Sequence, residues 1–288
     1  IFNLTRPQYT TAAFVFRTPI EYCRKKETFS FTITLRHGDA SRTLILHTER
    51  YPAVVKPASK DDPQFVNWFD YHNISRWHNA PMWSPDYEEM LYRYLRAARY
   101  TRQNVMAIPG PLLFTVTEGG EVRFESARLD LLLRAAKRAG IELFQGGAFC
   151  SRAASLVDDD AFYHSLDHES FTSPEQIGQA FKRRAFDEFD YGTDAVFSLT
   201  GASMSSDEGR RQLKEALCEL YAYLKAHDLC GVWTQSCLDE PNDALCAIYH
   251  TISAVTREAM PGIPILEPVL PTEGVIGDLD VWCPSLDV

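Results

Sequence analysis

Two carboxylates stand side by side at Asp239-Glu240, and Pro241 follows them. Paired acids are the working groups of glycosidic-bond hydrolysis: one protonates the leaving oxygen while the other acts at the anomeric carbon. In ordinary retaining and inverting enzymes the two flank the sugar, about 5–5.5 Å or about 6.5–9.5 Å apart, on different strands. Neighbours within a regular strand point to opposite faces, so an adjacent pair suits that arrangement badly. It suits substrate assistance better. There the sugar's own 2-acetamido oxygen attacks the anomeric carbon, one carboxylate orients the acetamide, and the other protonates the leaving group. Both acids can approach from one side where a strand is breaking, and Pro241 marks such a break. The chemistry needs Glu240 protonated near neutral pH and Asp239 ionised, with each raising the other's pKa by like-charge repulsion. The competing structural reading makes Asn242 the cap of a helix starting at Asp243, and leaves Asp239 and Glu240 in a solvated loop.

Other polar and aromatic side chains rank behind this pair. Trp68, Trp233 and Trp282 fall at or near expected strand ends, where a ring can stack on a sugar, although the large apolar area of Trp equally favours burial. Gln235 and Glu267 can bond sugar hydroxyls or satisfy backbone groups at the mouth of the sheet. His164 and His168 share an i, i+4 spacing but have no third ligand, so the segment reads as a solvated loop and not as a zinc site. Asp158-Asp159-Asp160 reads as a turn or helix start, with weak Ca²⁺ binding as the alternative. The 7 cysteines, at 23, 150, 218, 230, 237, 246 and 283, contain no C-x-x-C pair. Mostly free, buried thiols are expected, with one or two disulfides left open.

These residues need a scaffold, and the hydrophobic pattern supplies one. Thr11–Arg17, Phe29–Arg36, Thr43–His47 and Tyr51–Val55 are β-branched or aromatic runs separated by turn residues. After a polar, proline-containing stretch at Lys56–Pro63, the pattern changes to alternating strand and helix. Strands are expected at Phe65–Phe69, Asn104–Ile108, Ile141–Phe144, Gly231–Gln235, Ile263–Val269 and Leu279–Cys283. Helices are expected at Asp86–Arg99, capped by Ser84, and at Ala127–Ala139, closed by Gly140. Two more are expected at Asp207–His227 and Asp243–Ala259, and a hairpin at Phe114–Thr117 and Val122–Phe124. The long stretch from Ser151 to Thr200, with a helix-like run at Pro174–Arg184, reads as a functional loop or subdomain.

Such alternation implies right-handed βαβ units on a parallel sheet. Six strands fall short of the eight of a (β/α)8 TIM-type barrel, so the expectation is a barrel truncated after about six strands, its remaining pair lying beyond Val288. The domain reading is a β-rich segment at 1–58, the end of a β-sandwich, followed by a barrel at 59–288. A doubly wound sheet is the alternative, but its G-x-G-x-x-G fingerprint is absent. In a barrel, Asp239-Glu240 would lie at the C-terminal end of the fourth strand, where barrel enzymes place their active groups.

Composition narrows the partners. The formal net charge is −10, and no Lys/Arg-rich block is present, so nucleic acid is excluded as a partner. No apolar run reaches membrane-spanning length. The chain starts at Ile1-Phe2-Asn3 and reads as a fragment or processed form, which leaves its compartment unassigned.

The run Trp233-Thr234-Gln235-Ser236-Cys237-Leu238-Asp239-Glu240-Pro241, followed by Asp280-Val281-Trp282-Cys283-Pro284, resembles glycoside hydrolase family 123 and its uncharacterised barrel relatives. Asn67-Trp68-Phe69 fits the same pattern, and the resemblance covers roughly residues 50–288. It implies a β-N-acetylgalactosaminidase-like enzyme, retaining and substrate-assisted, with no cofactor and with an oligosaccharide or glycoconjugate as substrate. It further implies that Asp239 positions the acetamide and that Glu240 is the general acid/base. A non-catalytic carbohydrate-binding barrel is the competing class, and a barrel hydrolase whose acidic pair holds a metal is a third.

Overall fold

The computed structural model describes residues 25–53, 58–153, 193–269 and 272–284. The chain divides into two compact units, Ile1–Lys56 and Pro57–Val288. In the first, β1 (Glu27–His37) and β2 (Ala40–Arg50) form an antiparallel hairpin in which His37 pairs with Ala40. Phe29, Phe31 and Ile33 are half-buried on one face of β1, while Thr28, Ser30 and Thr32 are exposed on the other, the alternation that a period of two dictates. Gly38 takes φ +56°, which a two-residue II′ turn requires at its first central position. The expected strand at Tyr51–Val55 does not form in its described part, because β2 ends at Arg50. Thr11–Arg17 lies outside the described residues.

The second unit opens with α1 (Tyr71–His78), which the hydrophobic pattern did not announce. Asp70 caps it by accepting from the backbone N–H groups of His72 and Asn73, and Asn79 closes it in the left-handed region at φ 48°. α2 (Pro85–Tyr100) starts where expected: the Ser84 hydroxyl accepts from Tyr87 N–H, and Pro85 takes the first turn, where a missing N–H costs nothing. α2 buries Tyr87, Leu91 and Leu95. Next come β3 (Val105–Ile108), the hairpin of β4 (Phe114–Val116) and β5 (Val122–Phe124), α3 (Ser126–Ala139) and β6 (Leu143–Gly146). A second hairpin pairs β7 (Cys150–Arg152) with β8 (Ala195–Phe197). α4 (Asp207–Ala226), capped by Ser206, leads to β9 (Trp233–Gln235), and α5 (Cys246–Ala259) leads to β10 (Leu266–Val269) and β11 (Val281–Pro284).

β3, β6 and β9 are parallel neighbours in that order, and β10 pairs parallel with β11. A parallel bridge from Gln235 to Ile265 joins the two groups. Each new strand is therefore added on the same edge. A doubly wound sheet would reverse its strand order at a switch point, and among the described residues no reversal occurs. The result is an open arc of five parallel strands with no closure into a barrel among the described residues.

Six strands were expected, and the difference lies at Phe65–Phe69. This run is not a strand. Among the described residues its only backbone-to-backbone bonds to the sheet edge are those the Phe65 carbonyl accepts from Asn104 N–H and Val105 N–H at 3.2 and 3.3 Å. Without further ladder bonds the run stays irregular, and Phe65 and Trp68 remain exposed. α5 likewise begins later than expected, after a single 3₁₀ turn at Asp243–Leu245 that Asn242 caps by accepting from Leu245 N–H at 3.2 Å. Leu91, Leu95, Leu132, Leu217, Leu220, Ile252 and Ile265 are among the fully buried residues of the core. Pro174–Arg184, His164, His168 and Asp158–Asp160 lie outside the described residues.

Candidate active site

β9 ends at Gln235 because its hydrogen-bonding partners change there. Ser236 N–H still donates to Gly146 O at 2.8 Å. The next two N–H groups, of Cys237 and Leu238, donate to a side chain instead: both reach Oε1 of Glu267, the second at 3.0 Å. Ser236 Oγ–H donates to Glu267 Oε2 at 2.5 Å, and Tyr249 O–H reaches Oε1 at 3.4 Å. One carboxyl group on β10 thus takes the place of a strand and turns the chain out of the sheet. Glu267 is wholly buried. Burial pushes its pKa up to about 8, against the pull of the Ser236, Cys237 and Leu238 hydrogen bonds and with a further push from the charge of Asp239.

The turned-out segment carries Asp239 and Glu240. It is pinned from the other side by Arg152 at the end of β7, whose Nη2 donates to Glu240 O at 2.6 Å and to Asp239 O at 3.4 Å. Glu240 adopts φ 45°. The left-handed region costs an L-residue with a long side chain roughly 1–2 kcal/mol, and such strain is kept only where surrounding contacts over-determine the backbone. The strand-alternation objection to neighbouring acids therefore does not apply, because the pair lies beyond the strand. Both residues are exposed by area. The Asp239 carboxyl nevertheless sits against the wall of a cleft, where protein atoms displace part of its water. This desolvation, then the charge of Glu240, raises its pKa, and Arg152 partly opposes the rise. The acid whose pKa rises is the one that the sequence reading keeps ionised.

The cleft has a volume of about 200 Å³. A cavity of roughly 150 Å³ holds one benzene ring, so the space matches a single six-membered ring. Trp68, Phe69 and Tyr71 form its aromatic side; Ala107, Ile108 and Pro109 form its floor at the end of β3; Gln145, Ser236 and Asp239 are its polar groups. Trp68 is 57% exposed and directs its indole N–H to Gln145 Oε1 at 3.3 Å. Phe69 stacks on Tyr71 at 4.7 Å, and the Tyr71 hydroxyl donates to Ala107 O at 2.5 Å.

Of the residues singled out in the sequence, the cleft brings together Asp239 and Trp68. Glu240 is next to the wall in the chain but is not among the described residues that form it. Three expectations of substrate contact are corrected by burial. Trp233 is 1% exposed and stacks on Phe144 at 6.1 Å, so its ring belongs to the core. Gln235 is fully buried; its amide accepts from Trp233 Nε1–H at 3.2 Å and donates to Gly147 O and Ser236 O at 2.9 Å each. Glu267 is the loop anchor described above. Gly146 makes this packing possible, since a Cβ there would fall 2.7 Å from Trp233 Nε1. Trp282 is exposed on β11, opposite Glu267 in register, and does not line the cleft.

The sequence reading missed Gln145, Phe69, Tyr71 and Arg152. Gln145 had one visible signal, a polar residue at the end of an apolar run and directly before Gly146-Gly147. Among the described residues no three His, Cys, Asp or Glu side chains gather as metal ligands. No described helix is long and apolar enough to cross a membrane. Six described cysteines are free, but only Cys150 and Cys237 are buried, while Cys218 and Cys283 are exposed. The expectation of mostly buried thiols is corrected accordingly, and Cys23 lies outside the described residues.

No protein-family model matches the chain, and no curated protein matches it. Among solved structures, a family 123 glycoside hydrolase from Clostridium perfringens, studied for glycolipid glycan hydrolysis, is similar at a TM-score of 0.58 and 11% identity. The match covers 91% of this chain and 45% of that enzyme, so the chain spans less than half of its length. A rutinosidase from Aspergillus niger is matched at a TM-score of 0.38 and 10% identity, over 67% of this chain and 49% of that one. A family 5 glycoside hydrolase from Bacteroides vulgatus is matched at 0.34 and 8%, over 63% and 32%. The Clostridium enzyme and this chain share a fold over nearly the whole of the present sequence.

Proposed function

We propose that the chain carries the catalytic wall of a glycoside hydrolase acting on 2-acetamido sugars by substrate-assisted, retaining catalysis. The observation that carries this reading is the position of Asp239. It stands on a strained loop past the C-terminal end of a parallel strand, on the wall of a one-ring cleft that has an exposed Trp68 on its rim. Likeness of fold to the family 123 enzyme, together with the motif resemblance, supports the same reading. In this mechanism Asp239 accepts the acetamide N–H and so directs the carbonyl oxygen at the anomeric carbon. Glu240 protonates the leaving oxygen and then removes a proton from the water that opens the cyclic intermediate. The partly desolvated Asp239 gains most from a bound N–H donor, because that hydrogen bond favours its ionised form.

A second reading exchanges the roles, and the raised pKa of Asp239 favours it: Asp239 would then be the proton donor. Leaving-group dependence separates the two. Under the first reading Glu240→Gln loses turnover of a poor leaving group, such as an alkyl 2-acetamido-β-galactoside, by about 10²–10⁴-fold. It keeps most of kcat/KM for the dinitrophenyl glycoside, whose departure needs no acid, while kcat falls because the water that opens the cyclic intermediate loses its base; Asp239→Asn loses kcat/KM for both substrates. The mirror-image result assigns the acid to Asp239. Unchanged turnover of all substrates in both variants would sink the hydrolase assignment, as would failure of a thiazoline mimic of the cyclised intermediate to inhibit.

A further inference from the structure

Gln145 lies at the centre of the β3-β6-β9 group, paired with Ala107 on one side and Thr234 on the other. It is 97% buried by area, at 3% exposure, and it lines the cleft. The only hydrogen bond of its side chain within the described residues is the one it accepts from Trp68. An indole N–H can only donate, so the atom facing Trp68 must be the amide oxygen. The orientation of the amide is therefore fixed by chemistry, and the NH₂ group is held away from Trp68. Among the described residues that NH₂ donates to nothing. It is not one of the sealed, unpartnered polar atoms of the described residues; it opens onto the cleft that Gln145 lines, where an acceptor on a ligand can take the place of water.

We infer that Gln145 is a specificity-determining residue: locked by Trp68, it presents its NH₂ as the donor that selects an acceptor oxygen on a neutral pyranose. Two features set the ligand class. No Lys or Arg is among the described residues lining the cleft, and Asp239 is, so an anionic ring is disfavoured. The aromatic side accepts the apolar face of a sugar ring, while Gln145 and Asp239 offer one donor and one acceptor to its edge. This complement fits an acetamide, whose carbonyl accepts and whose N–H donates. To that extent the inference rests on the proposed function and deepens it.

The test is a ligand-observed NMR titration of the full chain with N-acetylgalactosamine and, separately, with galactose. Gln145→Met keeps the length of the side chain but removes the donor; it should weaken N-acetylgalactosamine about tenfold, the cost of one lost hydrogen bond. Trp68→Phe keeps a stacking ring on an exposed site and removes the lock on the amide; it should weaken binding about threefold. Equal affinity in Gln145→Met and wild type overturns the inference. If Gln145→Met lowers the melting temperature, Trp68→Phe carries the test, and unchanged affinity there overturns the lock. Equal binding of both sugars, lost equally in Gln145→Met, supports the donor role and removes the acetamide preference. Binding of neither sugar by wild type overturns the inference itself, whereas intact binding without hydrolysis overturns only the catalytic reading.

Discussion

Replacing Glu267 by Gln should abolish a pH dependence of stability that wild type shows between about pH 4.5 and about pH 8. Glu267 has its pKa raised from the ordinary 4.5 to about 8 in the fold. Between those values the folded chain holds the proton and the unfolded chain releases it, so stability falls as pH rises through the window and levels off above about 8. A displacement of this size corresponds to on the order of 4–5 kcal/mol. Gln fits the same cradle. Its carbonyl oxygen can take the place of Oε1 and accept from Cys237, Leu238 and Tyr249, while its NH₂ meets Ser236 Oγ once that hydroxyl turns to accept. Urea denaturation of wild type and Glu267→Gln at pH 5, 6.5 and 8.5 measures the effect. The two should be nearly equal in stability at pH 5, and the variant should be several kcal/mol more stable at pH 8.5. A difference that does not change with pH, or one of opposite sign, refutes the reasoning. Glu267→Leu should destabilise at pH 5 by about 2–6 kcal/mol, because it leaves two buried backbone N–H groups unsatisfied at about 1–3 kcal/mol each, and the deficit relative to wild type should shrink towards pH 8.5, where wild type carries the cost of the ionised Glu267.

Gly146→Ala drives a methyl group into Trp233 and Gln235; an overpacking cost of about 1–3 kcal/mol should appear in scanning calorimetry as a melting temperature lower by about 2–12 °C. Arg152→Met removes the cation that opposes the rise of the Asp239 pKa, so the acidic limb of the kcat/KM profile should move to higher pH; an unmoved limb would detach Arg152 from that titration. Cys218 and Cys283 are exposed, whereas Cys150 and Cys237 are buried with their thiol pKa values pushed up by burial. A thiolate-directed reagent followed by peptide mass analysis should therefore modify the first two in the native protein and the second two only on unfolding.

Much of the scaffold was legible because its signals are local. Ser84 with Pro85 marks a helix start whether or not the rest of the chain is known. Gly140 marks a helix end in the same way, at φ 78°. The loop after β9 was legible too, since an acidic pair before a proline cannot continue a central strand. Phe65–Phe69 misled because apolar content resembles a strand, whereas strand formation depends on a neighbour's ladder, which only the fold reveals. Gln235 and Glu267 misled for a related reason. A polar residue at the end of a strand can face a ligand or an orphan backbone group, and the residue type is the same in both cases. Burial decides between them, and burial is set by residues far away in the chain.

That ambiguity also explains how the site is built. Leaving a sheet exposes N–H groups that no neighbouring strand accepts, and a buried loop can form only if something else accepts them. Glu267 does so for Cys237 and Leu238, and the backbone is thereby free to aim Asp239 at the cleft. An ionised carboxylate would serve this purpose but would place a second negative charge behind Asp239. With its pKa raised to about 8, Glu267 is mostly protonated at neutral pH, Oε2–H then donating to Ser236 Oγ while Oε1 still accepts from the loop, so the anchor holds the loop without adding full charge repulsion to the acid in front of it. The coupling is reciprocal, because Asp239 in turn raises the pKa of Glu267. The acids visible in the sequence therefore divide by position. Asp239, on the cleft wall, and Glu240, beside it in the chain, are exposed, and Glu267 is buried where it anchors the loop that carries them.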